Sequence, residues 1–344
     1  MARNLRAGLL LGAGLLLTAC TGGGGEPPAD QSGAPQIEQA VPEQYRAEAA
    51  AFAEMRRIDA CGLHDPEAAK KVTGDQGDEL MPSHSGLQEC TLRLHKSEFE
   101  STWTLYLTVG DRFDAAARKD AAPTDINGIE VFVREDERGC SLSRPLDDKH
   151  AIELRASPGG SSKEAPPKPP CTVLKEYVGE LGPVWKDLPK RGSGRTTPEL
   201  KLAALDPCSV AAATLDLFGE GAVLEPSEPY VCTAKPTKPA AAPKKDKTAG
   251  ANEARVTLMM DDDPSALIKP GDQAARETTI ADHKVVIYQK RNGCTAYIVW
   301  DPETKVVVDN RDEDAPPAVQ QISVDLPTCE AAQQAAEKIL AKVK

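Results

Sequence analysis

Cysteine is the residue type most able to do chemistry in this 344-residue sequence, and there are nine of them. Cys20 stands apart near the N-terminus. The other eight are Cys61, Cys90, Cys140 and Cys171, spaced by 29, 50 and 31 residues, then Cys208, Cys232, Cys294 and Cys329, spaced by 24, 62 and 35. No two share the short Cys-x2–4-Cys spacing of a zinc site, so an even set in an exported chain points to disulfides. The five histidines, His64, His84, His95, His150 and His283, lie in no HExxH motif and accompany no GxSxG nucleophile elbow. Surface or structural roles are expected for each. Asp261-Asp262-Asp263 and Asp309-Asn310-Arg311-Asp312-Glu313-Asp314 invite a calcium reading. The second run lacks the turn glycine and puts Arg311 at a ligand-like position. Solvated acidic loops are the expectation, with no metal, no cofactor and no catalytic residue assigned.

The contexts of the two cysteine sets correspond. Ile58-Asp59-Ala60-Cys61 matches Leu205-Asp206-Pro207-Cys208, and Glu89-Cys90-Thr91 matches Val231-Cys232-Thr233. Gly139-Cys140-Ser141 matches Gly293-Cys294-Thr295, and Pro170-Cys171 matches Thr328-Cys329. This is an internal duplication. After Cys171, apolar residues recur at Leu174, Val178, Leu181 and Trp185; after Cys329 they recur at Ala332, Ala336, Ile339 and Val343, at the same offset of 158. Both sets have helical period, and Gly182-Pro183 should kink or end the first helix early. Asp206-Pro207 reads as a cap and first helical residue, with Asp59 in the matching place. Helices are expected from Asp65-Pro66-Glu67 to Gly74 and through AAATLDLFG to Gly219.

Between the helices the period changes to two. Strands are expected at 90–95, 103–109, 129–135, 140–143 and 151–156, and at 254–260, 283–290, 294–300 and 304–310, with a hairpin turn at Arg291-Asn292-Gly293. Trp300 shares the inward side with Cys294, Ala296 and Ile298 and is expected in the core, while Tyr288 and Tyr297 alternate to the other side. The fold class is therefore α+β: two tandem α–β–β–β–β–β–α repeats, each a mostly antiparallel sheet with helices on one face and two disulfides. Each repeat allows three pairings of its four cysteines. The layout favours Cys61–Cys90, Cys140–Cys171, Cys208–Cys232 and Cys294–Cys329, each tying a helix to a strand.

The N-terminus supplies the address. Arg3 and Arg6 precede an apolar stretch at 7–17, too short to span a bilayer, and Leu17-Thr18-Ala19-Cys20 then has the form of a bacterial lipobox. Small residues there admit the peptidase, and the Cys20 thiol supplies the thioether to diacylglycerol. TGGGGEPPADQSGAPQ follows as a flexible tether. The organisation expected is a signal peptide at 1–19, a lipidated tether at 20–36, repeat 1 at 37–189, a linker at 190–199 and repeat 2 at 200–344. Residues 234–253 form a Pro/Lys/Ala insertion within repeat 2.

Composition narrows the partners. With 41 Lys+Arg against 53 Asp+Glu the net charge is −12, and removing Arg3 and Arg6 with the leader takes it to −14. No basic face is expected for nucleic acid. An acidic body is repelled by an anionic bilayer, so the Cys20 lipid must hold it at the outer face of the plasma membrane.

Leu205-Asp206-Pro207-Cys208-Ser209, followed 24 residues later by a strand cysteine, together with the lipobox and tether, resembles the actinobacterial lipoproteins defined by a "domain of unknown function". More distantly, four cysteines in an extracytoplasmic α+β domain are similar to the sensor domains of mycobacterial receptor-type Ser/Thr kinases. Repeat 1 departs from the motif with Ala60-Cys61-Gly62. The resemblance implies fold and compartment and carries no chemistry. The functional expectation is a membrane-anchored, non-catalytic binding or accessory module of the cell envelope, meeting an envelope protein or small ligand at the seam between the repeats. The alternatives are an envelope hydrolase with its site there, or a structural spacer. The wild-type chain should partition into detergent, whereas Cys20→Ser should remain unprocessed and lose the anchor. Membrane retention of that variant would refute lipidation.

Overall fold

The computed structural model describes residues 40–83, 86–97, 100–136, 139–159, 168–192, 200–237, 252–308 and 317–343. The signal peptide, Cys20, the tether, His84, the run Asp309–Asp314 and the middle of the 234–253 insertion lie outside the described residues.

A long helix, α1 (Glu43–Arg56), leads into repeat 1, and a 3-10 turn at Cys61–Leu63 precedes α2 (Pro66–Thr73). Asp65 caps α2 by accepting from the Ala68 N–H at 3.1 Å, and Gly74 ends it at φ +82°. The strands are β1 (Gly77–Pro82), β2 (Glu89–Ser97), β3 (Glu100–Arg112), β4 (Ala122–Ile126), β5 (Ile129–Asp136), β6 (Gly139–Pro145) and β7 (His150–Pro158). A short α3 (Ala115–Lys119) follows β3. After β7 come α4 (Pro170–Glu180) and α5 (Gly182–Lys186), separated at the Gly182-Pro183 break. Repeat 2 has α6 (Pro207–Ala211) running into a 3-10 helix at Ala212–Phe218, then β8 (Val223–Glu228), β9 (Val231–Lys235), β10 (Ala254–Asp261), β11 (Ala275–Ile280), β12 (His283–Lys290), β13 (Gly293–Val306) and β14 (Ala318–Leu326). It closes with α7 (Cys329–Lys342).

Each repeat is one seven-stranded sheet, ordered β1-β2-β3-β7-β6-β5-β4 and β8-β9-β10-β14-β13-β12-β11. The two orders are the same, strand for strand, and every pairing is antiparallel. The duplication therefore extends to topology. Each sheet has seven strands where five were expected. The extra ones in repeat 1, β1 and β4, are edge strands containing Pro82 and Pro123 and without regular alternation. Edge strands tolerate proline and need no buried face, so their pattern is weak. In repeat 2, residues 304–306 continue β13 through two bulges rather than forming a strand of their own, and the central position falls to β14. The N-cap of the 3-10 turn is Ala60, one residue after Asp59, which is buried.

The bridges join Cys61 to Cys90, Cys140 to Cys171, Cys208 to Cys232 and Cys294 to Cys329. Each ties a helical segment to the second or sixth strand of its own sheet. A glycine precedes each sixth-strand cysteine for a steric reason. Gly139 and Gly293 sit at φ +140° and +146°, and a Cβ on either would come 2.7 Å from the carbonyl oxygen of Ala156 or Leu326 on the neighbouring strand. Only glycine fits so close an approach. Helix α4 rests on β6 and β7, and α7 on β12, β13 and β14. Leu174, Val178, Leu181 and Trp185 are all buried, as are Ala332, Ala336 and Ile339.

Each sheet has its own core, yet α1 serves both. Phe52 and Met55 belong to the core of repeat 1, while Tyr45 and Ala49 pack against that of repeat 2, beside Val41 just before the helix. Removing the Cys208–Cys232 bridge with paired serines should cost about 3 kcal/mol in the chain-entropy account. Denaturant unfolding should show that loss in the transition of repeat 2.

Candidate binding site at the seam

The seam is assembled from both ends of the chain. In the last turn of α1, Arg56 donates to the Pro229 carbonyl at 2.9 Å and pairs with Asp206 at 3.1 Å. Asp206 also caps α6 through the Cys208 N–H. Arg191 follows repeat 1, donates to the Arg56 and Leu87 carbonyls, and lies 5.8 Å over the Tyr230 ring. Tyr230 is buried and turns its hydroxyl to the Arg56 and Ala203 carbonyls.

On the other flank of α1 the repeats stand apart. Between them lies a cavity of about 650 Å³. Helix α1 contributes Tyr45, Glu48 and Phe52; the start of β2 contributes Gln88 and Glu89; the end of β3 contributes Thr108 to Arg112. Lys149 and His150 come from the start of β7, and Glu225 to Pro229 from repeat 2. A bulge between Val109 and Asp111 in β3 shapes this wall. Bulges re-aim side chains, and this one carries Asp111 to the cavity. Gly110, within the bulge, has φ +85°. A Cβ there would meet Pro229 Cγ at 2.7 Å and Met55 Sδ at 3.1 Å. That contact brings both repeats and α1 together at one point.

Most acids around the cavity are paired. Glu48 is 3.9 Å from Lys149, Asp114 is 2.7 Å from Arg112, Glu228 is 3.2 Å from Arg255, and Glu225 pairs with Lys235. Glu89 and Asp111 differ: among the described residues neither has a cation at ion-pairing distance. Burial raises the pKa of Glu89, helped by the charges of Glu228 and Asp111. Burial, then the charge of Glu153, pushes Asp111 up to about 6. The cavity thus holds carboxyls whose ionised form is short of compensation.

The histidines are placed structurally. His64 is buried between the Tyr177 hydroxyl at 3.2 Å and the Cys90 carbonyl at 3.4 Å, and burial lowers its pKa to about 4. His95 lies 3.5 Å from Glu79. His283 faces the Val299 carbonyl at 3.1 Å and stacks on Trp300, which is half-buried at the rim of the core rather than within it. His150 reaches the cavity. Its Nδ1 is 2.9 Å from Asp147 and its Nε2 is 3.9 Å from Glu48, and among the described residues no hydroxyl bonds to it. Asp263 of the first acidic run caps a 3-10 helix and pairs with Lys284 at 2.7 Å. No cluster of three metal-ligating residues occurs among the described residues. Tyr288 and Tyr297 lie half-buried on the sheet face away from α7 and do not line this cavity.

Sequence reasoning placed a site at the seam but named none of its residues. The available signal was Gly110, a glycine that interrupts a strand alternation and so marks a bulge. Gly110→Ala should cost about 2 kcal/mol, from the positive φ and the collision with Pro229. Thermal unfolding should show the loss, with amide exchange rising on α1 and around Pro229.

No helix among the described residues is long and apolar enough to cross a membrane. No protein-family model, curated protein or solved structure matches the chain, so the functional reading rests on the site itself.

Proposed function

We propose that this chain is an extracytoplasmic lipoprotein, anchored through Cys20, whose two repeats form a non-catalytic binding module. The seam cavity is its ligand site. The observation that carries the reading is the pair Glu89 and Asp111 in a cavity of about 650 Å³ with Tyr45 and Phe52 on its wall. Clefts of this size between domains suit small ligands. Unpaired carboxyls beside aromatic rings favour a cationic, partly apolar ligand, and the net charge of −12 acts in the same direction. The lipobox form of Leu17-Thr18-Ala19-Cys20 and the resemblance to actinobacterial lipoproteins support the cell-surface setting.

A second reading, an envelope hydrolase acting at the same seam, draws on the Asp111 pKa of about 6, in the range useful to a general acid. Among the described residues no hydroxyl on the cavity wall hydrogen-bonds to a histidine or carboxylate that could activate it. His150 with Asp147 supplies a base and its orienting group, but its Nε2 faces Glu48.

The test uses the lipid-free mature chain and a set of arylalkylamines with their matched alcohols and carboxylates. Amines should shift amide resonances on both walls, around Asp111 and around Glu228, with the carboxylates inert. Affinity for an amine should rise as pH passes upward through about 6, as Asp111 ionises. Asp111→Asn should abolish that dependence. It should also stabilise the unliganded protein by about 1 kcal/mol near neutrality after solvent screening. The sign follows from linkage. Folding raises the Asp111 pKa from 3.8 to about 6, so stability falls as pH rises through that window. The advantage of Asn should vanish near pH 4. Shifts confined to the outer face of one repeat would refute the seam site, and turnover of cell-wall polysaccharide by the pure chain would establish the hydrolase.

A further inference from the structure

The two repeats differ at one inward position of their sixth strands. Four residues beyond its bridge cysteine, β13 carries Ile298, opposite Ile322 and fully buried. Four residues beyond Cys140, β6 carries Arg144, opposite Ile152. The architecture is therefore satisfied by an aliphatic side chain where repeat 1 holds a guanidinium. Arg144 is half-buried, its Nη1 is wholly buried without an acceptor, and among the described residues it forms no ion pair. Burial depresses its pKa, as desolvation does for any cation lacking a counter-charge.

A second difference converges on the same place. Helix α7 runs unbroken, whereas Gly182-Pro183 separates α4 from α5. The short α5 carries Trp185, whose indole N–H donates to the Leu63 carbonyl at 3.3 Å, and then Lys186. Lys186 Nζ reaches the turn between β4 and β5, 3.5 Å from where a Cβ on Gly128 would stand. Arg144, Lys186, Gly128 and Trp185 line a cavity of about 250 Å³, apart from the seam. Glu130 also lines it, but it is exposed and pairs with neither cation.

We propose that this pocket is an oxyanion site, binding the carboxylate or phosphate of a small molecule between Arg144 and Lys186. A guanidinium fork matches both oxyanions in shape, and partial burial strengthens the pairing. The protein as a whole repels anions, so selectivity arises locally from two cations with no carboxylate at ion-pairing distance among the described residues. The alternative, that Arg144 supports the fold, is opposed by Ile298 at the corresponding position.

The experiment titrates the lipid-free mature chain with inorganic phosphate, acetate and chloride at constant ionic strength. The readouts are the Gly128 amide resonance and the thermal midpoint. Phosphate or acetate should give a saturable shift that chloride does not, and the lower half-saturation identifies the preferred oxyanion. Arg144→Ile, the residue that repeat 2 uses, should keep or raise the unliganded thermal midpoint and lose the shift. Lys186 is exposed, so Lys186→Ala keeps the fold whatever Arg144→Ile does, and it should weaken half-saturation about fivefold. The absence of a saturable shift, an equal response to chloride, or an unchanged titration in either variant would overturn the proposal.

Discussion

The arrangement of the two sheets depends on α1, a helix that neither core owns. Tyr45 and Ala49 pack towards repeat 2, and Phe52 and Met55 are buried in repeat 1. Arg56 locks this wedge at its C-terminal end, binding a carbonyl and a carboxylate of repeat 2 while its side chain stays mostly buried. A partly buried guanidinium is costly without acceptors and strongly held with them. The seam is therefore specified by hydrogen-bonded anchors at Arg56, Arg191 and Tyr230 together with a close approach at Gly110, beyond any apolar contact. The cavity is what remains where the wedge keeps the repeats apart.

Electrostatics divides the acidic residues into two kinds. Asp65, Asp114, Asp206 and Asp263 each cap a helical segment and accept backbone N–H groups. These carboxylates serve local folding, which accounts for much of the apparent acidity near the helix starts. Glu89 and Asp111 belong to the other kind. They lie where burial and neighbouring acids oppose ionisation, and among the described residues no cation stands at ion-pairing distance. Such tension is uncommon in purely structural positions and is the physical reason for treating the cavity as functional.

Duplication provides an internal control. Positions that coincide in both halves, such as the glycine before each sixth-strand cysteine, report what the fold requires. Positions that diverge report what it does not. Gly110 and its bulge, the α4–α5 break, and Arg144 against Ile298 all fall in repeat 1, and each borders a cavity. Repeat 2 retains a continuous closing helix and an apolar side chain at the position of Arg144.

The sequence by itself determined the duplication, the helix stripes, the start of α2 at Asp65-Pro66, the Asp206 cap and the strands with a buried face. These are readable because period, cap chemistry and cysteine context are local. It did not reveal β1, β4, β8, β11 or β14, because the four edge strands show little of a buried stripe and β14 interrupts its apolar run with the polar pair Gln320 and Gln321. It pointed to a seam from the logic of two repeats but could not populate it. Glu89, Asp111 and Glu228 are separated along the chain, and only a strand bulge and a shared helix bring them to one cavity. Arg144 likewise looks in sequence like an ordinary polar residue near a strand end. Only the register of β6 against β7 shows that it occupies an inward, half-buried position. A charge acquires its energy from the burial and neighbours that tertiary packing imposes, and one-dimensional pattern contains neither.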